Sequence, residues 1–356
     1  MEVSSDVLTG IGLMSGTSTD GLDIIAVTFE YKNDKIHYSV HESTTVEYND
    51  EWRERLLNAS KLSGLELRKL DIDFGLWMAE QVIAFSSNKN WKVDYIASHG
   101  HTVFHQPSNG FTLQIGNGAA IASKTGISTI CDFRQGDISL GGQGAPLVPI
   151  GDELLFNDYT YCLNLGGFAN VSYTENGRRI AFDISPLNVV LNEISRRIGM
   201  EFDLNGQLAS EGKIISALLN QLNSIDYYKK KAPKSLGTEW VNTFINPILD
   251  LFKEESVPDL LATLGCHFAE QIGNQLQMEG KTLVTGGGAK NTWLINQIKK
   301  STVSTMEIPT VNLIDNKESL IFALLGYLRY REEPNNIPSV TGAQRKISGG
   351  AIYLGN

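Results

Sequence analysis

Residues 13–23 read Leu-Met-Ser-Gly-Thr-Ser-Thr-Asp-Gly-Leu-Asp, with more hydrogen-bonding groups than a turn requires. A tight hairpin closes with two residues, typically Asn-Gly or Asp-Gly. Here Gly16 would let backbone amides approach a ligand, and Thr17, Ser18 and Thr19 add hydroxyl donors. Such a turn can cradle an anion, phosphate in particular. Asp20 and Asp23 would repel phosphate, so they make sense beside it only with Mg²⁺ or a sugar hydroxyl between. The bland alternative is an irregular hairpin. A second candidate is Thr-Gly-Gly-Gly-Ala-Lys-Asn, residues 285–291, where Gly286, Gly287 and Gly288 stand between a strand and a helix. Amides at a helix N-terminus suit nucleotide phosphate or ribose. The same glycines would also serve a tight connection, and neither GxxxxGK[ST] nor GxGxxG is present.

Two further groups could do chemistry. His99, His101 and His105 fall close together in SHGHTVFHQP. Alternate imidazoles can share a zinc ion, but no acidic or cysteine ligand lies nearby. Neutral histidines forming a hydrogen-bonding wall of a sugar pocket are the favoured reading. Asp183, in RRIAFDISPLN, reads as the end of a strand just before a helix, with Ser185 as N-cap and Pro186 in the first turn. The positive end of that helix would keep the carboxylate ionised, as a general base requires. A structural cap would use the same spacing.

The elements that must position these groups alternate between strand and helix, which argues for an α/β fold. Strand-like runs surround IGLM, DIIAVTFEY and KIHYSVHES, a helix follows near 51–60, and a longer one covers about 65–86. LMSGTS at 13–18 and LNLGGF at 163–168 occupy corresponding places, each a strand, a glycine turn and a returning strand. That pairing predicts a duplicated architecture of two similar domains with an interdomain cleft, the second turn being Gly166-Gly167. Residues 134–149 hold four glycines and two prolines, and read as a loop and hinge at the domain boundary. The expected domains are 1–135 and 136–356, with the tail near 340–356 packing back on the first.

Composition narrows the partners. A net charge of −10 argues against nucleic acid, since phosphate backbones are bound by basic surfaces. No apolar run approaches a membrane span, and MEVSSDVLTG lacks the basic and apolar parts of a signal peptide. Cys131, Cys162 and Cys266 lie in or beside apolar runs and read as buried free thiols, consistent with a cytoplasmic location.

The blocks GLMSGTSTDGLD, SHGHTVFHQP, LQIGNG, DFRQGDISLGGQGAPLVP, NLGGFANVS, AFDISPLN, LVTGGGAKN and NIPSVTGA occur in order along nearly the whole chain. In this the sequence resembles the anhydro-N-acetylmuramic acid kinases. The resemblance implies two actin-like ATPase (ribonuclease H-like) domains, with ATP in the cleft. It implies that ATP phosphorylates O6 of 1,6-anhydro-N-acetylmuramic acid while water opens the anhydro bridge, giving N-acetylmuramic acid 6-phosphate in cell-wall recycling. It places the catalytic base on Asp183. It places ATP binding on Gly16, Thr17, Ser18, Thr19, Asp20, Gly21, Leu22 and Asp23, on Gly166 and Gly167, and on Gly286, Gly287 and Gly288. Sugar contacts are expected from His99, Asp132, Arg134, Asp137 and Gln143, Mg²⁺ at Asp23, and a homodimer. The aspartate block departs from the usual FDTGPGN at Ile184, Ser185 and Leu187, and His101 stands where glutamine is usual. Alternatives are a kinase for another anhydro-sugar, a sugar-binding regulator and a chaperone-type ATP switch. A regulator would carry a DNA-binding helix-turn-helix, for which residues 1–10 leave no room; a switch would carry a peptide-binding domain after the ATPase.

Overall fold

The computed structural model describes residues 6–16 and 19–356, so Thr17 and Ser18 of the first glycine turn lie outside the described residues. Contacts divide the chain into two units, one of residues 1–155 with 316–356 and one of residues 156–315.

The first unit is built on a sheet of β1 (Val7–Ser15), β2 (Gly21–Lys32), β3 (Lys35–Glu47), β4 (Tyr95–Gln106), β5 (Phe111–Ile115), β6 (Thr129–Cys131) and β12 (Ala351–Tyr353). β3, β2 and β1 form an antiparallel meander; β4 then runs parallel to β1, and β6 parallel to β4. One face is covered by the helix Gly64–Ser86. Its residues Leu70, Phe74, Met78 and Val82 recur at three or four positions and meet Ile11, Leu13, Ile24 and Ile96. A capping box starts this helix: Ser63 Oγ accepts the Glu66 amide, and the Ser63 amide donates to Glu66 Oε2 at 2.9 Å. The helix Val311–Tyr330 meets β1 at Gly12, where any side chain would collide with the Ser319 carbonyl.

The second unit repeats the plan. β7 (Tyr161–Leu165), β8 (Phe168–Glu175) and β9 (Arg178–Pro186) form the antiparallel meander. β10 (Lys281–Thr285) runs parallel to β7, and β11 (Thr305–Glu307) parallel to β10. The order β9-β8-β7-β10-β11 therefore matches β3-β2-β1-β4-β6 in order and in direction, which is the ribonuclease H-like, actin-like ATPase plan. The duplication expected from LMSGTS and LNLGGF is present in the strand order. The core is organised around the helix Val257–Gly273, whose Leu260, Leu264, Phe268 and Ile272 pack with Leu163, Val171 and Val284.

Several sequence expectations need correction. The units divide at 155/156 and 315/316, not at 135/136. Residues 134–149 are no free boundary loop: they contain the helix Gln135–Ser139, and the Gln143 amide donates to the Thr341 carbonyl at 2.8 Å. The tail does join the first sheet, as β12 beside β6. β9 does not end at Asp183 but runs on to Pro186, because Ser185 pairs with Ala169 and Pro186 with Phe168. Ser185 is therefore a buried strand residue and no N-cap; the helix starts at Asn188, after Leu187. All three cysteines are free, but only Cys162 is buried; Cys131 and Cys266 are partly open. Among the described residues, no helix is long and apolar enough to cross a membrane.

His267, fully buried on the helix Val257–Gly273, gives the fold a pH dependence. Its Nδ1 bonds to Asn223 Oδ1 at 2.6 Å, its ring lies 4.8 Å from the Tyr228 ring, and burial holds its pKa down at about 3. The unfolded chain takes up this proton near pH 6.5, and the folded chain does not. Stability from this group is present above pH 6.5 and is lost as pH falls from there toward 3. His267→Gln should flatten the decline of denaturant stability between pH 6.5 and 4. A parallel decline in wild type and variant would contradict this.

Candidate active-site residues

In the first unit, β1 ends at Ser15 and β2 begins at Gly21, with Gly16 and Thr19 described between them. The Thr19 amide donates to the Gly16 carbonyl at 3.3 Å, and Thr19 itself takes a left-handed φ of 56°. Beneath the turn, Ser15 Oγ accepts from Tyr48 Oη at 2.8 Å and bonds to His101 Nδ1 at 3.0 Å. The later residues of the block do different work. Gly21 and Leu22 are paired in β2, and the Leu22 side chain is wholly in the core. The Asp23 carboxylate accepts from Thr45 Oγ1 at 2.6 Å.

The three histidines of β4 have separate partners, and among the described residues no group of three metal-ligating side chains occurs. His99 is joined to Arg134: Nε and Nη2 of Arg134 lie 3.1 and 2.9 Å from His99 Nε2. The guanidinium is always a donor, so Nε2 must accept and Nδ1 carries the proton, which goes to the Gly100 carbonyl at 2.9 Å. Burial, reinforced by the Arg134 charge, holds His99 neutral with a pKa well below the usual value. Burial also lowers Arg134, to about 10, which leaves it charged at neutral pH. Its Nη1 donates to the Gly144 carbonyl at 2.7 Å and so ties β4 to the GGQGAP segment.

His99 and Asp132 line a cavity of about 190 Å³ together with Thr112, Gln114 and Asn117. Asp132 holds a left-handed φ of 57°, and burial raises its carboxyl. Cys131 borders the same space; burial pushes its thiol up to about 12, so it is no nucleophile at neutral pH. Asp137 is different. Its carboxylate accepts from Asn336 Nδ2 and Thr341 Oγ1, both at 2.7 Å, and from the Gly144 amide at 2.8 Å. One buried carboxylate thus joins the NIPSVTGA and GGQGAP segments. The Gln143 side chain is exposed.

Glu318 is a residue the sequence reading passed over. It keeps surface open to solvent while protein atoms crowd it, and this crowding raises its carboxyl pKa. Arg134 opposes the rise and Asp23 adds to it, so the three side chains share one electrostatic neighbourhood. The only signal in the sequence was a charge at the head of the apolar run Ser319–Leu325.

In the second unit, Asp183 lies on β9 opposite Asn170 and is partly exposed. Its Oδ2 accepts the Leu236 amide at 2.8 Å. Burial raises its pKa above the ordinary carboxylate value, and the Leu236 amide opposes that rise. The departures Ile184, Ser185 and Leu187 are all buried. The carbonyls of Gly166 and Gly167 accept the Asn188, Leu187 and Val189 amides, which fixes the helix start after Asp183.

Gly286–Gly288 follows β10 and enters a 3₁₀ turn, with Asn291 capping the next helix, Thr292–Ile298. Gly287 and Gly288 border a cavity of about 360 Å³, walled by Leu191, Phe202, Leu204 and Trp293 and edged by Asn205 and Lys290. That combination of apolar walls and a few polar groups suits a nucleobase and ribose. Gly286 has φ 81°, and a Cβ there would stand 2.5 Å from Asn164 Oδ1 and 2.8 Å from the Leu165 carbonyl carbon. Gly286→Ala is therefore expected to displace the turn, lowering stability by roughly 1–3 kcal/mol and raising the KM for ATP. An unchanged melting temperature and ATP KM would contradict this.

The profile of the anhydro-N-acetylmuramic acid kinase family matches residues 9–355. The chain is 35% identical to the enzyme of that name from Vibrio cholerae, over 96% of this chain and 97% of that one. It is 36% identical to those of Mannheimia succiniciproducens, over 96% and 98%, and Aliivibrio fischeri, over 97% and 99%. Two actin-like units, a carboxylate on β9 and a glycine turn after β10 thus accompany a match over the full length, and the chain belongs to the anhydro-N-acetylmuramic acid kinase family.

Proposed function

We propose that this protein phosphorylates 1,6-anhydro-N-acetylmuramic acid at O6 with ATP and opens the anhydro bridge with water, serving cell-wall recycling. The observation that carries this reading is Asp183. It is a carboxylate of raised pKa with one oxygen held by the Leu236 amide, in a chain of this kinase family. The water gives its proton to Asp183 while its oxygen bonds to the anomeric carbon. The bond from that carbon to O6 breaks, and O6 takes the γ-phosphoryl group as the bond to ADP breaks. The products are N-acetylmuramic acid 6-phosphate and ADP, and Asp183 later releases the proton.

The cavity beside Gly287 and Gly288 is the proposed seat of the nucleoside, with Gly286 shaping the turn. The turn at Gly16 and Thr19, with Asp20, is assigned to the phosphates. His99, Asp132 and Arg134 are assigned to the sugar: the neutral ring and the charged guanidinium are already fixed relative to each other. Asp137 supports the GGQGAP segment, and Gln143 has a side chain free to reach the sugar. Mg²⁺ is usually held by one or two carboxylates, waters and substrate phosphates. Asp23 supplies such an oxygen, and Glu318 lies within electrostatic reach. When bound, the ion would neutralise charge developing on the transferred phosphate. A cytoplasmic homodimer is part of the proposal.

ADP formation should be measured with and without the anhydro-sugar. The account expects ADP only with sugar. ADP without sugar would favour a nucleotide-driven switch, and sugar binding without ADP a sugar-binding regulator.

A further inference from the structure

Asp183 is held from behind by a stretch that no glycine motif announces. The segment 227–236, Tyr-Tyr-Lys-Lys-Lys-Ala-Pro-Lys-Ser-Leu, meets it at three points. Tyr227 Oη donates to the Asp183 carbonyl at 2.7 Å. The Asp183 amide donates to the Lys234 carbonyl at 3.2 Å. The Leu236 amide donates to Asp183 Oδ2 at 2.8 Å. Backbone donor, backbone acceptor and one side-chain oxygen are therefore all engaged by one segment.

The segment is fastened in turn. Lys234 Nζ lies 4.6 Å from the Tyr227 ring centre and 5.5 Å from that of Phe182, the residue before Asp183. Cations over aromatic faces are attracted by the ring quadrupole. The same ammonium donates to the Tyr227 carbonyl at 3.4 Å. Tyr227 is buried and packs against Trp240 with ring centres 5.2 Å apart. A half-buried lysine is thus used as a pin between the segment and the strand that carries the carboxylate.

We propose that Tyr227 and Lys234 are positioning residues for the Asp183 base: they fix the segment so that the Leu236 amide holds Oδ2 and the other carboxylate oxygen, Oδ1, receives the proton of water. This rests on the reading of Asp183 as the base. A general base must present an oxygen within hydrogen-bond reach of the proton it takes, and small misplacements are costly. The amide also favours the charged carboxylate, so its loss moves the Asp183 pKa further up. Among the described residues, two titratable side chains of the segment are placed around Asp183. Tyr227 lies on one side; Lys234 lies above Phe182, with Lys230 acting on it; β8 presents Asn170, which does not titrate.

The test uses Tyr227→Phe, which removes one hydroxyl, and Lys234→Met, which removes the charge and keeps the stem. In each folded variant kcat should fall about 5- to 10-fold, as for one lost hydrogen bond, with both KM values changed less than about threefold. The acid limb of the kcat profile should move to higher pH. Tyr228→Phe, whose ring neighbours Tyr227 without touching Asp183, should leave the limb in place. A purely structural role would lower the melting temperature and leave the acid limb unmoved; that result, or unchanged kcat, overturns the inference. Adding Tyr227→Phe to Asp183→Asn should cost little more than Asp183→Asn alone. If Asp183→Asn retains turnover, the base assignment itself fails. If it loses turnover while both positioning variants behave as wild type, only the inference about the segment fails.

Discussion

Asp183→Asn is expected to leave the fold and the binding of ATP and sugar intact while turnover falls by at least about 10²- to 10⁴-fold. Asparagine keeps the shape of the side chain, and its amide oxygen can still accept the Leu236 amide that now meets Oδ2 at 2.8 Å. What it cannot do is take a proton from water. The partial burial that raises the Asp183 pKa has a second consequence. Activity should fall on the acid side through a pKa above the ordinary carboxylate value, and this limb should vanish in the residual activity of the variant. Calorimetry and turnover on the same preparation would check both. Near-normal turnover would remove Asp183 from the chemistry; joint loss of folding and binding would make it a structural residue.

Lys317→Met is expected to cost about 3–5 kcal/mol of stability, the largest effect foreseen for a residue outside the reacting groups. Lys317 Nζ lies 2.7 Å from Asp152 Oδ1, and both side chains are nearly inaccessible, at 7% and 4%. Asp152 belongs to the helix Pro149–Leu155 and Lys317 to the helix Val311–Tyr330. They stand beside the two points where the chain leaves and re-enters the first unit. Removing the ammonium takes a close counter-charge away from a carboxylate in the interior. Removing both charges, with Asp152→Asn in addition, should recover a substantial part of the loss. Urea unfolding of the single and double variants would measure this. A single variant within about 1 kcal/mol of wild type would show that water or neighbouring groups already compensate the carboxylate.

Much of the architecture was legible because its signals are local. The helix Gly64–Ser86 announces itself through the spacing of Leu70, Phe74, Met78 and Val82. The duplication was visible in two glycine turns, each between a strand and its returning neighbour. The errors arose where tertiary pairing overrides local preference. Ser185-Pro186 has the chemistry of a helix start, yet cross-strand pairing with Ala169 and Phe168 holds both in β9. Residues 134–149 have the composition of a hinge, yet Asp137 binds Asn336 and Thr341 from 199 and 204 residues away, which no window can read. The candidate site divided in the same manner. His99, Asp183 and Gly286 carry motif signals in their own types and spacing, and Arg134 is reached only through the family resemblance. Glu318, Tyr227 and Lys234 act through contacts with segments distant in the chain, which no local window reads.

The central claim, that one active site couples bridge opening by water to phosphorylation of O6, is tested most directly by mass spectrometry of the product formed from the anhydro-sugar and ATP in heavy-oxygen water. Rapid quenching keeps the new anomeric hydroxyl from exchanging with the solvent. The account expects a single product that carries one phosphate together with one heavy oxygen at the anomeric carbon, and no hydrolysed sugar lacking phosphate. A phosphorylated product without the heavy oxygen, or labelled sugar released without phosphate, would contradict it.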